Sequence, residues 1–439
     1  MNPENLSIPG IIENLNSGNL ELEDIIENSI TIIRDNEEDI SALLHERNRK
    51  KRLKKDFNEL KEKHQSDGSK PALFGILVAV KDIFHLEGFK TRAGSRLDPD
   101  LLTENEGSLI KTLRSQGVIF LGKSVTTEFA HSAPGPTRNP NNLKHTPGGS
   151  SSGSAAAVAA GYCPLALGTQ TIGSVIRPAA YCGIVGFKPT QGRIPSDGFI
   201  KFSETIDQVG FFTRTVSGAE ITFKNILSSK HLHLEDIKEL PRPVLGEPDQ
   251  AYLSQSDKIA LKNFKANKST LQKAGYRIER SPILENIEAI NNFHRTLIAY
   301  EFARAHKDWY RKYPEVYRRE TAELIEEGLK IKENDYHKAR DQRLKLKIEI
   351  KEAMNEANID IFISPAATGP APIGINSTGD PAMNLPWTNC GLPVITVPAG
   401  NTSKGLPLGL QLAANFGDDE KLLRWTKTIA SLINDLDKS

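Results

Sequence analysis

The segment at residues 148–161, GGSSSGSAAAVAAG, most constrains what this chain can fold into. Its Ala/Val run is small enough for a helix to pack closely against other backbone, and the preceding serines can bond the free N–H groups at a helix start. A glycine- and serine-rich run is also typical of a flexible linker. The apolar run after it favours a buried helix behind a serine cluster.

A second glycine-rich segment, GTQTIGSVIRP, occupies residues 168–178. It follows the apolar run at residues 164–167, which predicts that Ser174 lies on a tight turn past the end of a strand. Consecutive backbone N–H groups in such a turn can converge on one anion. Ser174 is therefore a candidate nucleophile.

A serine nucleophile needs a proton acceptor at neutral pH. The G-x-S-x-G match at residues 149–153 follows an irregular loop and not the strand that a nucleophile elbow requires. Lys81 ends a wholly apolar run at residues 73–80, and burial of a lysine lowers its pKa. A lysine paired with Asp82 is the alternative, but the two Gly/Ser segments favour a buried base.

The remaining sequence alternates between helix and strand patterns. The first 63 residues or so are helical, strands and helices alternate to about residue 227, and residues 283–357 form a long charged helical stretch. Strand and turn patterns return near the C-terminus, before a helix from about Asp419. These patterns predict an α/β core that is completed by segments from both ends of the chain.

Composition excludes several function classes. The chain has 439 residues, with 56 Lys and Arg against 55 Asp and Glu, so no strong field would recruit nucleic acid. Its start lacks a signal peptide pattern and no apolar run reaches membrane length, so we expect a cytoplasmic protein. The widely spaced Cys163, Cys182 and Cys390 are expected to be buried and unpaired.

Two motif matches lack the setting that their chemistry needs. Residues 117–124, GVIFLGKS, match the phosphate-loop letters, but the middle four residues are predicted to form a strand whose N–H groups are committed to a sheet. A nucleotide-binding module is therefore the less favoured hypothesis. His231 and His233 lack the helical metal-site pattern, and no metal is expected.

Four ordered segments together resemble the amidase signature family: GILVAVKD at residues 75–82, the two Gly/Ser segments, and GIVGFKPTQGRIP from Gly183. The resemblance implies one α/β/α layered domain over residues 1–439 with a central mixed sheet. Residues 1–65 would form N-terminal helices, and residues 228–358 a divergent, mostly helical region on the substrate side. No cofactor is implied.

Carried over by position, the family's base is Lys81, its bridging serine Ser150 and its nucleophile Ser174. Ser174 would form an acyl-enzyme while Lys81 takes a proton through the Ser150 hydroxyl. The family holds its bridging serine by a cis peptide, so we expect one at Gly149–Ser150. The oxyanion would be bound by backbone N–H groups of Thr171, Ile172, Gly173 and Ser174.

Three departures from the family pattern bear on activity and substrate. Gln170 replaces an Asp, and Ile172 replaces a Gly, where a β-branched residue resists positive φ. Arg177 lies three residues after Ser174, whereas the commoner family pattern has an arginine two residues after the nucleophile. The spacing here is similar to that of malonamidase-like members, in which this arginine holds a substrate carboxylate. A structural ion pair is the alternative for Arg177. Ser151 and Thr169 join it as expected substrate-binding residues.

Two functions follow from the resemblance. The first is an amidase that cleaves a small linear carboxamide, not a peptide bond, and releases ammonia or an amine. The second is the glutamine-hydrolysing subunit of a tRNA-dependent amidotransferase, made less favoured by Ile172 and the shifted Arg177. The expected partner is the small amide substrate, without nucleic acid or membrane, and a homodimer is one candidate assembly.

Overall fold

A computed structural model describes residues 7–65, 70–227 and 240–434 of the chain. His231 and His233, the first six residues of the N-terminal helical segment and the start of the divergent region lie outside the described residues. Within the described ranges the chain forms fourteen α-helices and one ten-stranded sheet.

The sheet is mixed and has the strand order β2-β1-β3-β5-β4-β9-β10-β8-β6-β7. Strands β1, β2 and β3 run parallel, the pairs from β3 to β8 are antiparallel, and β6 is parallel to both β7 and β8. The strands are Leu77–Lys81, Ile119–Ser124, Leu165–Gln170, Val185–Lys188, Gln208–Thr213, Leu245–Glu247, Ile278–Arg280, Ile361–Pro365, Val394–Asn401 and Pro407–Ala414, numbered β1 to β10.

Both faces of the central strands are covered. Every residue of β1, β2, β3, β4, β5 and β8 is buried, and successive side chains of a strand point to opposite faces. The predicted α/β fold with a central mixed sheet is confirmed. The helices α1 to α14 are Ile8–Ser17, Leu22–Ile40, Arg49–Gln65, Ser108–Ser115, Ser152–Ala159, Ile176–Cys182, Val216–Ile226, Gln250–Leu253, Lys258–Lys273, Ile287–Lys312, Arg319–Lys330, Glu333–Glu356, Leu385–Asn389 and Asp419–Asn434.

The N-terminal segment forms three helices, as predicted. Helix α2 buries one stripe that includes Ile25, Ile26 and Ile33, spaced at the helical period. Helix α3 carries a run of Lys and Arg residues, and one of them makes a tertiary contact. Arg52 donates to the backbone oxygens of Phe120 and Leu121 and so ties α3 to β2.

The divergent region contains the long charged helices α10, α11 and α12, as the sequence predicts. It also contributes two short strands, β6 and β7, which extend the sheet beyond β8 and were not predicted. Both strands are three residues long and lack a clear alternation of buried and exposed positions, so their period gives little to detect. The C-terminal strands β9 and β10 pair between β4 and β8, which closes the core as expected.

Six of the eight phosphate-loop letters, residues 119–124, lie in strand β2, so this match does not form a phosphate loop. The Lys123 ammonium is buried and lies 2.9 Å from Asp82, and it donates to the Phe84 carbonyl. That lysine is not available to a phosphate. The three cysteines are free and buried, as predicted.

Neither a membrane span nor a metal cluster is found in the described ranges. None of the helices there is long and apolar enough to cross a bilayer. The same ranges hold no group of three or more His, Cys, Asp or Glu side chains that could bind a metal ion.

Candidate active site

Lys81 ends strand β1, and β1 lies parallel to β3, so the carboxyl ends of both strands meet at one edge of the sheet. The Lys81 side chain is fully buried. Its Nζ donates to Ser150 Oγ at 2.8 Å and to Thr169 Oγ1 at 2.9 Å. Asp82 pairs with Lys123, so the alternative of a Lys81–Asp82 pair is wrong.

The electrostatics of Lys81 favour a neutral amine near neutral pH. Burial lowers the pKa of Lys81 to about 7, and the negative charge of Asp207 partly offsets this effect. Both hydrogen-bond partners are neutral hydroxyls. A lysine in this state can accept a proton from a hydroxyl that it touches.

Ser150 is held by the small-residue segment that the sequence singles out. The Gly149–Ser150 peptide is cis, as expected. The Ser150 carbonyl accepts from Thr126 Oγ1 and Thr127 N, both at 3.2 Å. Helix α5 then starts at Ser152, and a Cβ on Gly153 would lie 2.1 Å from the Ala42 carbonyl oxygen. The glycine there permits this close approach of backbone.

Ser151 and Thr169, which were expected to bind the substrate, make other contacts. Ser151 makes no side-chain bond to the N-terminus of α5, and its hydroxyl is directed at the Thr169 carbonyl at 3.5 Å. Thr169 Oγ1 accepts from Lys81. Neither residue is among those that line the cavity at Ser174, so the substrate-binding role predicted for them finds no support. Thr169 instead holds the base.

The nucleophile lies on the predicted turn between β3 and α6. Gln170, at the end of β3, accepts from the backbone N–H groups of Val175 at 2.8 Å and Ile176 at 3.0 Å, and donates to Thr388 Oγ1 at 2.8 Å. The Gln170 amide thus keeps a hydrogen-bonding role without the charge of an Asp. Its contacts fix the backbone on the far side of Ser174.

Ile172 fits this turn without backbone strain. It is not among the described residues with positive φ, and its carbonyl accepts from Thr388 Oγ1 at 2.6 Å. A Cβ on the next residue, Gly173, would lie 2.3 Å from Asn384 Oδ1, so the glycine needed for close packing is present. The concern over Ile172 therefore reduces to the bulk of its half-buried side chain.

Ser174 opens into a cavity of about 340 Å³. The four residues expected to bind the oxyanion, Thr171, Ile172, Gly173 and Ser174, all line it. Lys81 and Ser150 are buried and are not among the lining residues. Ser174 therefore faces the cavity, while Lys81 and Ser150 lie shielded within the protein.

Arg177 also lines the cavity, and its side chain is already engaged. One terminal nitrogen donates to the Gly379 carbonyl, and the other donates to the Gly149 carbonyl at 2.7 Å and to Thr378 Oγ1 at 3.3 Å. The buried Nε has no protein partner. The alternative of a structural ion pair is not observed, because these acceptors are neutral. Arg177 also joins the segment of Ser150 to that of Ser174.

The divergent region supplies part of the cavity wall, as predicted. Arg295 comes from α10, and Glu320, Glu323 and Leu324 come from α11. Arg295 is bonded to Glu327, with an Nε to Oε1 distance of 2.7 Å. The charges at this wall are therefore partly neutralised within the protein.

Sequence reasoning missed two residues of the site, Phe202 and Asp207. Phe202 and His131 line the cavity, and burial lowers the pKa of His131 to about 4, so its ring is neutral. Asp207 is buried and accepts from Thr171 Oγ1 at 2.5 Å. No local pattern marks Asp207, because only the fold brings the start of β5 beside the end of β3.

Comparisons with known proteins agree with this geometry. The Amidase family model matches residues 24–423. A glutamyl-tRNA(Gln) amidotransferase subunit of Exiguobacterium sibiricum is 30% identical over 403 residues, covering 80% of this chain and 82% of that protein. The corresponding subunit of Lysinibacillus sphaericus is 31% identical over 401 residues, covering 80% and 82%.

Solved structures show the same fold. A crystal structure described as an amidase has a TM-score of 0.86 at 27% identity and covers 96% of this chain and 99% of its own. A structure described in connection with the evolutionary origins of an s-triazine catabolic enzyme has a TM-score of 0.86 at 25% identity, with 98% of both chains covered. The chain therefore belongs to the Amidase family of C–N hydrolases.

Proposed function

We propose that this protein hydrolyses a small linear carboxamide, rather than a peptide bond, through an acyl-enzyme on Ser174 with Ser150 and Lys81 as the proton relay. The contact that supports this most is the 2.8 Å hydrogen bond between Lys81 Nζ and Ser150 Oγ. A buried lysine with hydroxyl partners and a pKa of about 7 is a competent base near neutral pH.

In acylation the Ser174 oxygen attacks the amide carbon and gives its proton to Ser150 Oγ, while the Ser150 proton passes to Lys81 Nζ. The carbonyl oxygen becomes an oxyanion beside the N–H groups of residues 171–174. Lys81 then returns a proton through Ser150 to the amide nitrogen, the C–N bond breaks, and ammonia or an amine leaves. Water attacks the resulting ester by the same relay and releases the carboxylic acid.

The cavity supports a small substrate. A volume of about 340 Å³ is at the lower end of the range for small-molecule sites. Arg177 lies in its wall as a cation whose protein acceptors are all neutral, so its positive charge would attract a carboxylate on the substrate. We therefore keep amides that bear a carboxylate within the proposed substrate class.

The test is ammonia release from a panel of carboxamides, with and without a carboxylate, combined with covalent labelling by a sulfonyl fluoride. Wild type should turn over at least one amide and be labelled at Ser174. Ser174→Ala should lose both, whereas Ser152→Ala, a change in the same serine cluster away from Lys81, should keep both. Labelling at another residue, or turnover by Ser174→Ala, would exclude the mechanism.

A second candidate is the glutamine-hydrolysing subunit of a tRNA-dependent amidotransferase. It is supported by the glutamyl-tRNA(Gln) amidotransferase relatives at 30% and 31% identity over four fifths of the chain. Ile172 and the position of Arg177 make it the less favoured proposal. Ammonia release from glutamine that rises when companion amidotransferase subunits are added would favour it over a stand-alone amidase.

A further inference from the structure

Asp207 is a buried carboxylate at the junction of three parts of the site. One oxygen accepts from Thr171 Oγ1 at 2.5 Å, and the other accepts from the Phe202 N–H at 2.7 Å. Thr171 belongs to the oxyanion turn, and Phe202 lies in the cavity wall. Asp207 therefore connects the turn that carries the nucleophile to the part of the cavity wall at Phe202.

Among the described residues, Asp207 is also the carboxylate whose negative charge raises the pKa of Lys81. The direct partners of Lys81 are two neutral hydroxyls. Gln170 stands where the amidase signature pattern has an acid, so this turn carries no carboxylate of its own at that position. When Lys81 takes a proton, the compensating negative charge must come from elsewhere.

We propose, resting on the proposed function, that Asp207 is a positioning residue that fixes the oxyanion turn through Thr171 and balances the positive charge that forms on Lys81 during acylation. A fixed carboxylate in a site without bulk water stabilises a nearby ammonium without reorganisation. The same carboxylate holds Thr171 in place before the substrate arrives.

Burial raises the pKa of Asp207 to about 6, so its carboxylate is mostly charged at the pH of about 7 where Lys81 titrates. From the turn after β3 it meets Thr171, from its own loop the N–H of Phe202, and from β1 the charge of Lys81. Helix α10 places His294 beside the Thr171 backbone, and burial lowers the pKa of His294 to about 3, so its ring is neutral. Glu301 of α10 is occupied by Ser203, Thr205 and Tyr336.

Two substitutions separate the charge of Asp207 from its hydrogen bond to Thr171. Asp207→Asn removes the charge, whereas Thr171→Val removes the hydrogen bond and keeps the charge. Asp207 raises the pKa of Lys81, so its loss should move the acid limb of Ser174 labelling to lower pH, by about 0.5–1 pH unit. The plateau rate of labelling should fall about tenfold.

Thr171→Val should lower the plateau severalfold and leave the midpoint of the acid limb at its wild-type pH. The conservative Asp207→Glu should also keep that midpoint. The rate of Ser174 labelling by a sulfonyl fluoride, measured from pH 5 to 9, reports these effects without a known substrate. Circular dichroism selects folded variants.

An unshifted acid limb in folded Asp207→Asn would overturn the charge role, and a wild-type plateau in Thr171→Val would overturn the positioning role. If Asp207→Asn does not fold, a shifted midpoint in Asp207→Glu would count against the charge role. Failure of the proposed function has a different signature, because wild type would then show no labelling of Ser174 at any pH.

Discussion

Two fully buried lysines, Lys81 and Lys188, lie in similar electrostatic settings and differ in what they touch. Burial lowers the pKa of each to about 7. Lys81 donates to two hydroxyls, those of Ser150 and Thr169. Lys188 donates to the Pro189 carbonyl at 3.1 Å and to Gln208 Oε1 and the Leu392 carbonyl, both at 2.5 Å.

In the proposed mechanism, this difference separates the base Lys81 from the structural lysine Lys188. A hydroxyl both accepts and donates, so it can pass a proton from a nucleophile to a lysine, whereas a carbonyl oxygen only accepts. Lys188 therefore ends its own hydrogen-bond network, and it ties β4 to the start of β5 and to the segment before β9. A lowered pKa alone does not identify the base. The chemistry of the neighbouring atoms does.

The largest effect on turnover is expected when each lysine is replaced by methionine. Lys81→Met should lower amide turnover about 10⁴-fold or more, because the relay has no final acceptor. Lys188→Met should keep most turnover per folded molecule but lose stability, because three buried acceptors lose their donor. Turnover is measured on protein shown to be folded by circular dichroism.

Equal losses of turnover in the two folded variants would contradict this distinction. So would a Lys81→Met protein that still releases ammonia at the wild-type rate. Lys188→Met is the matched control, because the change of side chain and the burial are the same.

The second test is the pH dependence of kcat/KM. Lys81 accepts a proton only in its neutral form, which gains population as pH rises through about 7. Activity should therefore fall about tenfold for each pH unit below that midpoint and level off above it. Lys188→Met should show the same acid limb as wild type. If the acid limb disappeared in Lys188→Met, the titrating group would be Lys188 and not Lys81.

The sequence itself predicts the settings of Lys81 and Ser174, because each follows an apolar run at a strand end, whereas the bridging role of Ser150 is implied only by the resemblance to the amidase signature family. Lys81 follows an unbroken apolar run, and the turn at Ser174 follows another. The mixed α/β architecture and the long helices α10, α11 and α12 follow from periodicity in the same way.

The network behind the site could not be predicted. Thr388 bonds Gln170 and the Ile172 carbonyl across more than 200 residues of sequence, and Asp207 meets Thr171 from a different strand. Such contacts depend on sheet order, which periodicity does not give. The neutral partners of Arg177 are equally non-local, since Gly379 and Thr378 come from the loop before α13.

The third test concerns Arg177, a buried cation that resembles Lys188 in contacting carbonyl oxygens, yet lines the cavity. If its positive charge attracts a substrate carboxylate, Arg177→Met should lower kcat/KM about tenfold more for carboxylate-bearing amides than for neutral amides of the same size. The ratio of the two kcat/KM values is the measurement. An equal loss on both would mean that Arg177 acts only by holding the Gly149 carbonyl.

The smallest expected effect is on stability. A lysine with a folded pKa of about 7 and an unfolded pKa near 10.4 binds a proton on unfolding between those values, so its contribution to the free energy of unfolding grows as pH rises above 7. Lys81 should add about 1 kcal/mol between pH 7 and 8, and Lys188 no more than this.

Urea unfolding of wild type, Lys81→Met and Lys188→Met at pH 7 and pH 8 measures this increment, because the titration of all other groups cancels in the differences. Both methionine variants should gain less stability than wild type over this interval. The three carbonyl acceptors of Lys188 favour its ammonium form and oppose the effect of burial. A full increment lost in Lys81→Met and a smaller one lost in Lys188→Met would show that the carbonyl contacts retain the proton that the hydroxyl contacts of Lys81 release.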